Sequence, residues 1–414
     1  MNGKSLIREL AKCALAKKGS QQNSTWRDFD ALEDPHIELS GLSWRGLFFE
    51  VINDGNERLA QLPVLATALD EYRTQYAAIR ASSRHPVDNH VYLEVPLDGR
   101  VPVETMKTLI DAAYEIVWNK LDDDAKLKIE LACLPYDENS LIDRLIELHG
   151  LQDSRNEIYQ LSRRALLLRT KKTSEAKIPA CSTKIGGRPD LPEGAEWPAF
   201  ADGKPLAFLA QFDLSEIARI GAPIQGFPEL GHLTFFSAWG WLDEESGEPL
   251  TPDDSGVEQL GWTAILHVQP GSILARRKAP PGTNSFEPAS VQTIPILSFP
   301  NHRAEPPLAA MTWSDDKYDR FDAMQSDFRS IQMGHLLGNG DSLASCHQLG
   351  GYAIFQQQYP EELHGSQRAM LLQIGTDGKL GMEWGDGGEL TFYADAKGLS
   401  MGRFEQIWGT CQGG

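Results

Sequence analysis

Cysteine is scarce in this 414-residue chain: Cys13, Cys133, Cys181, Cys346 and Cys411 are scattered, and no two make a C-x-x-C pair. That pattern excludes a cysteine zinc site and a disulfide framework, and it fits a reducing compartment. Long apolar runs are absent too. No stretch approaches the ~20 apolar residues needed to span a bilayer. Glu9, Lys12, Lys17 and Lys18 break up the N-terminal segment, so no signal peptide is expected and a cytoplasmic location is. Positive charge is short: 39 basic against 58 acidic side chains leave a net charge of −19. A field of that sign repels phosphate backbones and anionic membranes, so neither nucleic acid nor membrane is an expected partner. Chemistry-bearing spacings are missing as well. There is no G-x-x-x-x-G-K-[ST], no G-x-G-x-x-G, no H-E-x-x-H and no G-x-S-x-G. No cofactor, no metal site and no catalytic constellation are expected.

What is present reads as a globular protein. Hydrophobic residues are 41% and charged residues 23%, with 10 Trp and 16 Phe, so a full core is within reach. The length suits two or three domains. Residues 1–18 read as an amphipathic helix, with Leu6, Ile7, Leu10, Ala11, Ala14 and Leu15 on one face. A strand is expected over 44–51. A helix is expected over 59–79, where Leu62, Leu65, Leu69, Tyr72, Tyr76 and Ile79 follow a period near 3.6 and Pro63 would sit in the first turn. A strand over 89–96 leads through the Asp98-Gly99 turn into a helix opened by Pro102. Met106, Leu109, Ile110, Ala113, Val117 and Leu121 share one face of that helix. Another helix is expected near 140–148, and Ser154-x-x-Glu157 has the pattern of a capping box.

Beyond about residue 150 the texture changes. Glycine and proline become dense and aromatic residues regular. Strands are expected over 165–168, 206–212, 233–238, 262–268, 294–299, 352–356, 369–374 and 390–394. A helical insert is expected over 307–345, with Tyr318, Phe321, Met324 and Phe328 on one face, and a last helix over 401–408. The acidic stretch from Asp243, Glu244 and Glu245 to Asp254 reads as an exposed loop. The expected fold class is α+β, with a small N-terminal α/β module (1–150) and a larger, mainly antiparallel-sheet domain (151–414).

Three glycine-rich stretches stand out: Cys181 to Pro198 with Pro205 to Leu214, His347-Gln-Leu-Gly-Gly-Tyr352, and Leu372 to Phe392. Taken in this order, they resemble the signature of the YwqG-like family, a bacterial family of unknown function, over residues ~155–414. The strand–turn–helix unit at 89–121 also resembles part of the MmcQ/YjbR-like module, a small α+β domain. The first resemblance brings one implication about function: YwqG-like proteins are associated with toxin–immunity neighbourhoods.

Two readings of the motifs stand side by side. In one they line a ligand cleft, with Lys184, Arg188, Gln211, His347 and Asp386 as its polar groups and an anion held by Lys184 and Arg188. In the other they are structural. The paired Gly186-Gly187 and the prolines then make a rigid loop anchored by Trp197, Asp213 caps a short helix, and the turns at 376–379 and 385–388 join strands. Cys346 and His347, adjacent on an extended chain, would point to opposite faces and form no dyad. The structural reading favours a non-catalytic, acidic, protein-binding module. Its partner would be a basic protein toxin, met by the acidic loop of Asp243, Glu244 and Glu245. Convergence of the polar side chains in one open pocket would favour the ligand-binding or enzymatic alternative.

Overall fold

The chain divides into two units, each built on one large sheet. The structure is a computed structural model that describes residues 3–22, 36–39, 47–54, 57–83, 90–200, 203–220, 227–238, 263–337, 347–355, 357–360, 363–364, 368–384, 386–399, 401, 403–404 and 407–413. The acidic loop with Asp243, Glu244 and Glu245 lies outside the described residues, as do Cys346 and Gly385. Among the described residues, no helix is long and apolar enough to cross a membrane.

The first unit comprises residues 1–144 and 330–341. Its antiparallel sheet has the order β1-β2-β3-β4-β6-β5. The strands are β1 (Ser20–Gln22), β2 (His36–Leu39), β3 (Leu47–Asp54), β4 (Glu57–Leu65), β5 (Arg80–Ala81) and β6 (His90–Pro96). Two helices, α1 (Gly3–Leu15) and α3 (Val103–Trp118), bury their expected faces against it. Leu6, Ile7 and Leu10 on α1 and Met106, Leu109 and Ile110 on α3 meet Phe48, Leu62, Leu93 and Val95 from the sheet. The helix expected over 59–79 is instead strand β4 followed by the short helix α2 (Leu69–Gln75). Leu59 to Val64 are all buried, and an apolar run covered on both faces carries no period that separates strand from helix. Pro63 is tolerated because the ladder to β3 ends at Gln61, which leaves that side of the strand without a required N–H donor. Helices α4 (Asp123–Cys133) and α5 (Glu138–Leu148) follow.

The second unit comprises residues 145–329 and 342–414. Helix α6 (Arg155–Leu161) begins at Ser154, but the Ser154 hydroxyl makes no capping bond and accepts from Lys317 Nζ at 3.0 Å instead. Ten antiparallel strands then form one sheet in the order β12-β11-β10-β8-β14-β7-β15-β16-β17-β18. They are β7 (Arg163–Lys172), β8 (Lys184–Ile185), β10 (Ala207–Asp213), β11 (His232–Ser237), β12 (Thr263–Val268), β14 (Ala289–Ser298), β15 (His347–Leu349), β16 (Arg368–Gly375), β17 (Glu389–Asp395) and β18 (Ile407–Gln412). The terminal strands β12 and β18 approach each other, so the sheet nearly closes into a barrel. Leu166, Leu168, Phe212, Phe235, Leu372, Ile374, Leu390 and Phe392 fill its inner side. A separate pair, β9 (Asp190–Pro192) and β13 (Leu274–Arg276), lies outside this sheet. Helix α9 (Asp315–Leu337) buries Phe321, Met324 and Phe328 as expected, with Phe299 edge-on to both Phe rings. The chain is thus α+β, with a small N-terminal α/β region and a large, mostly antiparallel sheet.

In β10 a bulge between Phe208 and Ala210 shifts the register, so Phe208 and Phe212 do not share a face. Phe208 joins Trp197 and Phe236, while Phe212 enters the inner core. Residues 352–355 are not a strand. Glutamine side chains hold this segment instead: Gln373 accepts from Ile354 N at 3.0 Å and donates to Ile354 O at 2.7 Å, and Gln348 donates to Tyr352 O at 2.9 Å. The helix expected over 401–408 gives way to strand β18. Ile407 points into the inner core and Trp408 to the opposite side against Tyr393, the alternation of a strand.

Candidate functional site

The first glycine-rich motif is organised around two buried charges. Lys184 is fully buried on β8, and its ammonium donates to Glu175 Oε1 at 2.8 Å and to the carbonyl of Arg188. Glu175 Oε2 in turn accepts from Arg188 N at 3.0 Å. Asp190, also buried, accepts from Cys181 N at 2.9 Å, Gln211 Nε2 at 2.8 Å and Arg276 Nε at 3.0 Å. Gln211 Oε1 closes the loop by accepting from Asp190 N at 2.8 Å. The rest of the Arg276 guanidinium goes to the carbonyls of Glu175, Ile178 and Pro179 at 3.0 Å each. Burial pushes the Asp190 carboxyl up, but the Arg276 guanidinium, the Gln211 amide and the Cys181 N–H outweigh it and hold the group below the usual carboxylate range. Burial likewise takes the Lys184 ammonium below its ordinary value, against the pull of Glu175 and Asp190. Gly186 and Gly187 both have positive φ, 68° and 75°. A Cβ there would collide with the Glu287 carbonyl and the Glu175 carboxylate respectively, so only glycine fits.

The first and third motifs meet through the segment 286–288. Gly187 N donates to Phe286 O at 2.9 Å, Glu287 N donates to Leu380 O at 2.9 Å, and the Phe286 ring lies edge-on to Trp384 at 5.7 Å. His347, from the second motif, is fully buried with Nε2 at 3.7 Å from Asp377 Oδ2 of the third. That separation is beyond hydrogen bonding, and both ring nitrogens lack a hydrogen-bond partner. His347 and the Thr170 hydroxyl, which donates at 2.9 Å, hold the Asp377 carboxyl below the usual range. Asp377 and Met382 pair as the tight turn expected for this stretch.

The candidate ligand residues therefore separate into distinct settings. Lys184 and Gln211 share the buried network, where protein atoms occupy their polar groups. Arg188 contributes its backbone to that network while its side chain is exposed. His347 sits against Asp377, and Asp386 is exposed on a turn. Asp213 caps α7 (Leu214–Arg219), accepting from Ser215 N at 2.9 Å. Among the described residues, no group of three or more His, Cys, Asp or Glu side chains could hold a metal ion.

Sequence reasoning missed a further polar site. Glu305 precedes the short helix α8 (Pro306–Ala309) and is 5% exposed. Its Oε1 accepts only backbone donors, Asn301 N at 2.7 Å and His302 N at 3.1 Å. Burial pushes this carboxyl up to about 8, with the two N–H groups and Arg163 pulling the other way. Tyr352, Tyr359 and Tyr393 feel its charge, and the buried Tyr393 hydroxyl has no hydrogen-bond partner. The signal was invisible locally because these partners come from separate segments.

A family profile described as Domain of unknown function (DUF1963) matches residues 183–412, which takes in the second and third motifs and all but the first two residues of the first. The chain belongs to that family. The match agrees with the YwqG-like resemblance and does not extend to the strand–helix unit at 89–121. No curated protein matches the chain.

Proposed function

We propose that this DUF1963 protein is a non-catalytic, acidic binding module for a basic protein, with neutralisation of a toxin as the case its family resemblance suggests. One observation carries most of the weight. The ionisable side chains at the heart of the first motif, Lys184, Asp190, Glu175 and Arg276, are spent on one another and on backbone groups. A network of that kind rigidifies a scaffold and leaves little to act on a substrate. The net charge of −19 supplies attraction for a basic surface. A second reading, a small-ligand site at the glycine-rich motifs, draws on His347, whose buried imidazole makes no hydrogen bond and has only Asp377 within ion-pair distance.

The test is affinity capture from native cells, followed by stopped-flow association with the captured basic protein. The association rate should fall steeply with salt, because exposed charges farther apart than about 8 Å are screened at physiological ionic strength. Reversal of Asp243, Glu244 and Glu245 to Lys should slow association more than it speeds dissociation. A salt-insensitive association rate, or capture of no basic protein, would overturn the proposal and favour the ligand reading.

A further inference from the structure

A groove of about 210 Å³ lies in the first unit, where α4 turns into α5 beside the end of α9. Leu131, Leu134, Pro135 and Leu141 give it an apolar surface, with Leu134 left 42% exposed. The Tyr136 ring forms part of the wall, fixed by its hydroxyl donating to Gln332 Oε1 at 2.9 Å and by a ring contact with His335 at 5.3 Å.

The polar groups at this groove are not balanced. Its carboxylate, Asp137, is already used: its Oδ1 accepts from Ser140 N at 2.8 Å at the start of α5, and that bond together with the Ser140 hydroxyl holds the carboxyl below the usual range. Arg144, two turns into α5, is exposed, and its guanidinium makes no hydrogen bond or ion pair with any other described residue. In a chain with 58 acidic side chains against 39 basic ones, a guanidinium left open beside an apolar surface is unusual. The His335 imidazole adds a second polar edge.

We propose that this groove binds a free small monocarboxylic acid carrying one ring, with the ring on Leu131, Leu134, Pro135 and Tyr136 and the carboxylate on Arg144. Charge complementarity selects the acid: Arg144 has no partner among the described residues, and a planar guanidinium takes a carboxylate through paired hydrogen bonds. Size selects the single ring. A groove of 210 Å³ falls below the roughly 300–1,000 Å³ of sites for larger ligands, so it accommodates one ring and not a whole nucleotide. This site is independent of the protein-binding proposal, and apart from His335 its lining lies outside the DUF1963 match.

The experiment is titration of the full chain, by calorimetry and by protein-observed NMR, with phenylacetate. Phenethylamine serves as the cationic analogue and a tetrapeptide ending in phenylalanine as the chain-borne carboxylate. Phenylacetate should saturate, and Arg144→Gln should weaken it by about tenfold, the loss expected for one charge-assisted contact. Arg144→Lys should recover part of that loss. Arg144 is exposed, so a melt matching that of the wild type will accompany each variant. Absence of saturation, equal binding of the amine, or unchanged affinity in Arg144→Gln would overturn the proposal. Tighter binding of the tetrapeptide than of phenylacetate would overturn the free-acid assignment in favour of a peptide terminus.

Discussion

Asp190 and Glu305 are both buried carboxylates of the second unit, 1% and 5% exposed, yet they sit on opposite sides of the ordinary carboxylate range. Desolvation pushes both up. Asp190 meets a guanidinium, a side-chain amide and a backbone N–H, and stays charged. Glu305 meets two backbone N–H groups and a surround of tyrosines, and holds its proton up to about 8. Burial by itself therefore does not decide the state of a buried acid. The number and charge of the donors that reach it do. The Asp190 network lies inside the glycine-rich motif and shapes the loop. The Glu305 site shapes the segment that follows β14 and leaves that segment sensitive to pH.

The strongest way to break this contrast is to strip Asp190 of its cation. Arg276→Met leaves Asp190 and Glu175 with one partner fewer in a buried setting, and removal of one member of such a pair typically costs about 3–5 kcal/mol. The denaturation midpoint should fall accordingly. A double variant, Asp190→Leu with Arg276→Met, should cost less than the sum of the two single changes, because the second substitution removes the orphaned charge. A loss below about 1 kcal/mol in Arg276→Met would mean that the network behaves like a surface ion pair.

Glu305→Gln tests the other side. The folded value of Glu305, about 8, lies above its ordinary 4.5, so its stability contribution is complete below about 4.5 and is lost as pH rises through about 8. Each pH unit in that window costs about 1.4 kcal/mol for one fully displaced proton. Asp190 has the opposite sign: its lowered folded value gives stability above the ordinary Asp range that is lost as pH falls. Glutamine keeps the acceptor for Asn301 N and His302 N and removes the charge. Melts at about pH 5 and about pH 8.5 should differ less in Glu305→Gln than in the wild type, with the variant ahead at the higher pH. An unchanged pH profile would mean that Glu305 is charged when buried, as Asp190 is.

The same two residues mark how far the sequence could be read. Asp190 sits within a recognisable motif, and the glycines, prolines and Trp197 around it pointed to a rigid loop. The Trp197 indole N–H indeed donates to Leu206 O at 2.8 Å within this region. Strands β16 and β17 were legible because Leu372 and Ile374 flank Gln373, and Leu390 and Phe392 flank Thr391. Glu305 was not legible, since its surroundings come from residues as far apart as Arg163 and Tyr393. Strand β4 was misread because burial on both faces erased its alternation. Strand β18 was misread because Phe404, Ile407 and Trp408 mimic helical spacing. The segment at 352–355 was misread because side-chain amides of Gln348 and Gln373 take the place of a neighbouring strand, and no local pattern reports that.

Asp386 supplies the reference point for the comparison, a carboxylate with no burial to overcome. It is exposed on the turn after Trp384, where Gly388 N donates to Trp384 O at 2.8 Å and the backbone holds the turn by itself. Asp386→Asn keeps a turn-favouring side chain and removes only a solvated charge. The midpoint should stay within about 0.5 kcal/mol of the wild type, as exposed substitutions usually do. A loss above about 1 kcal/mol would be outside that range and would show the carboxylate holding the turn that carries Trp384, which is 2% exposed in the inner core. The three variants would then no longer order by the donors around each acid, and the account of Asp190 and Glu305 would have to include turn geometry as well.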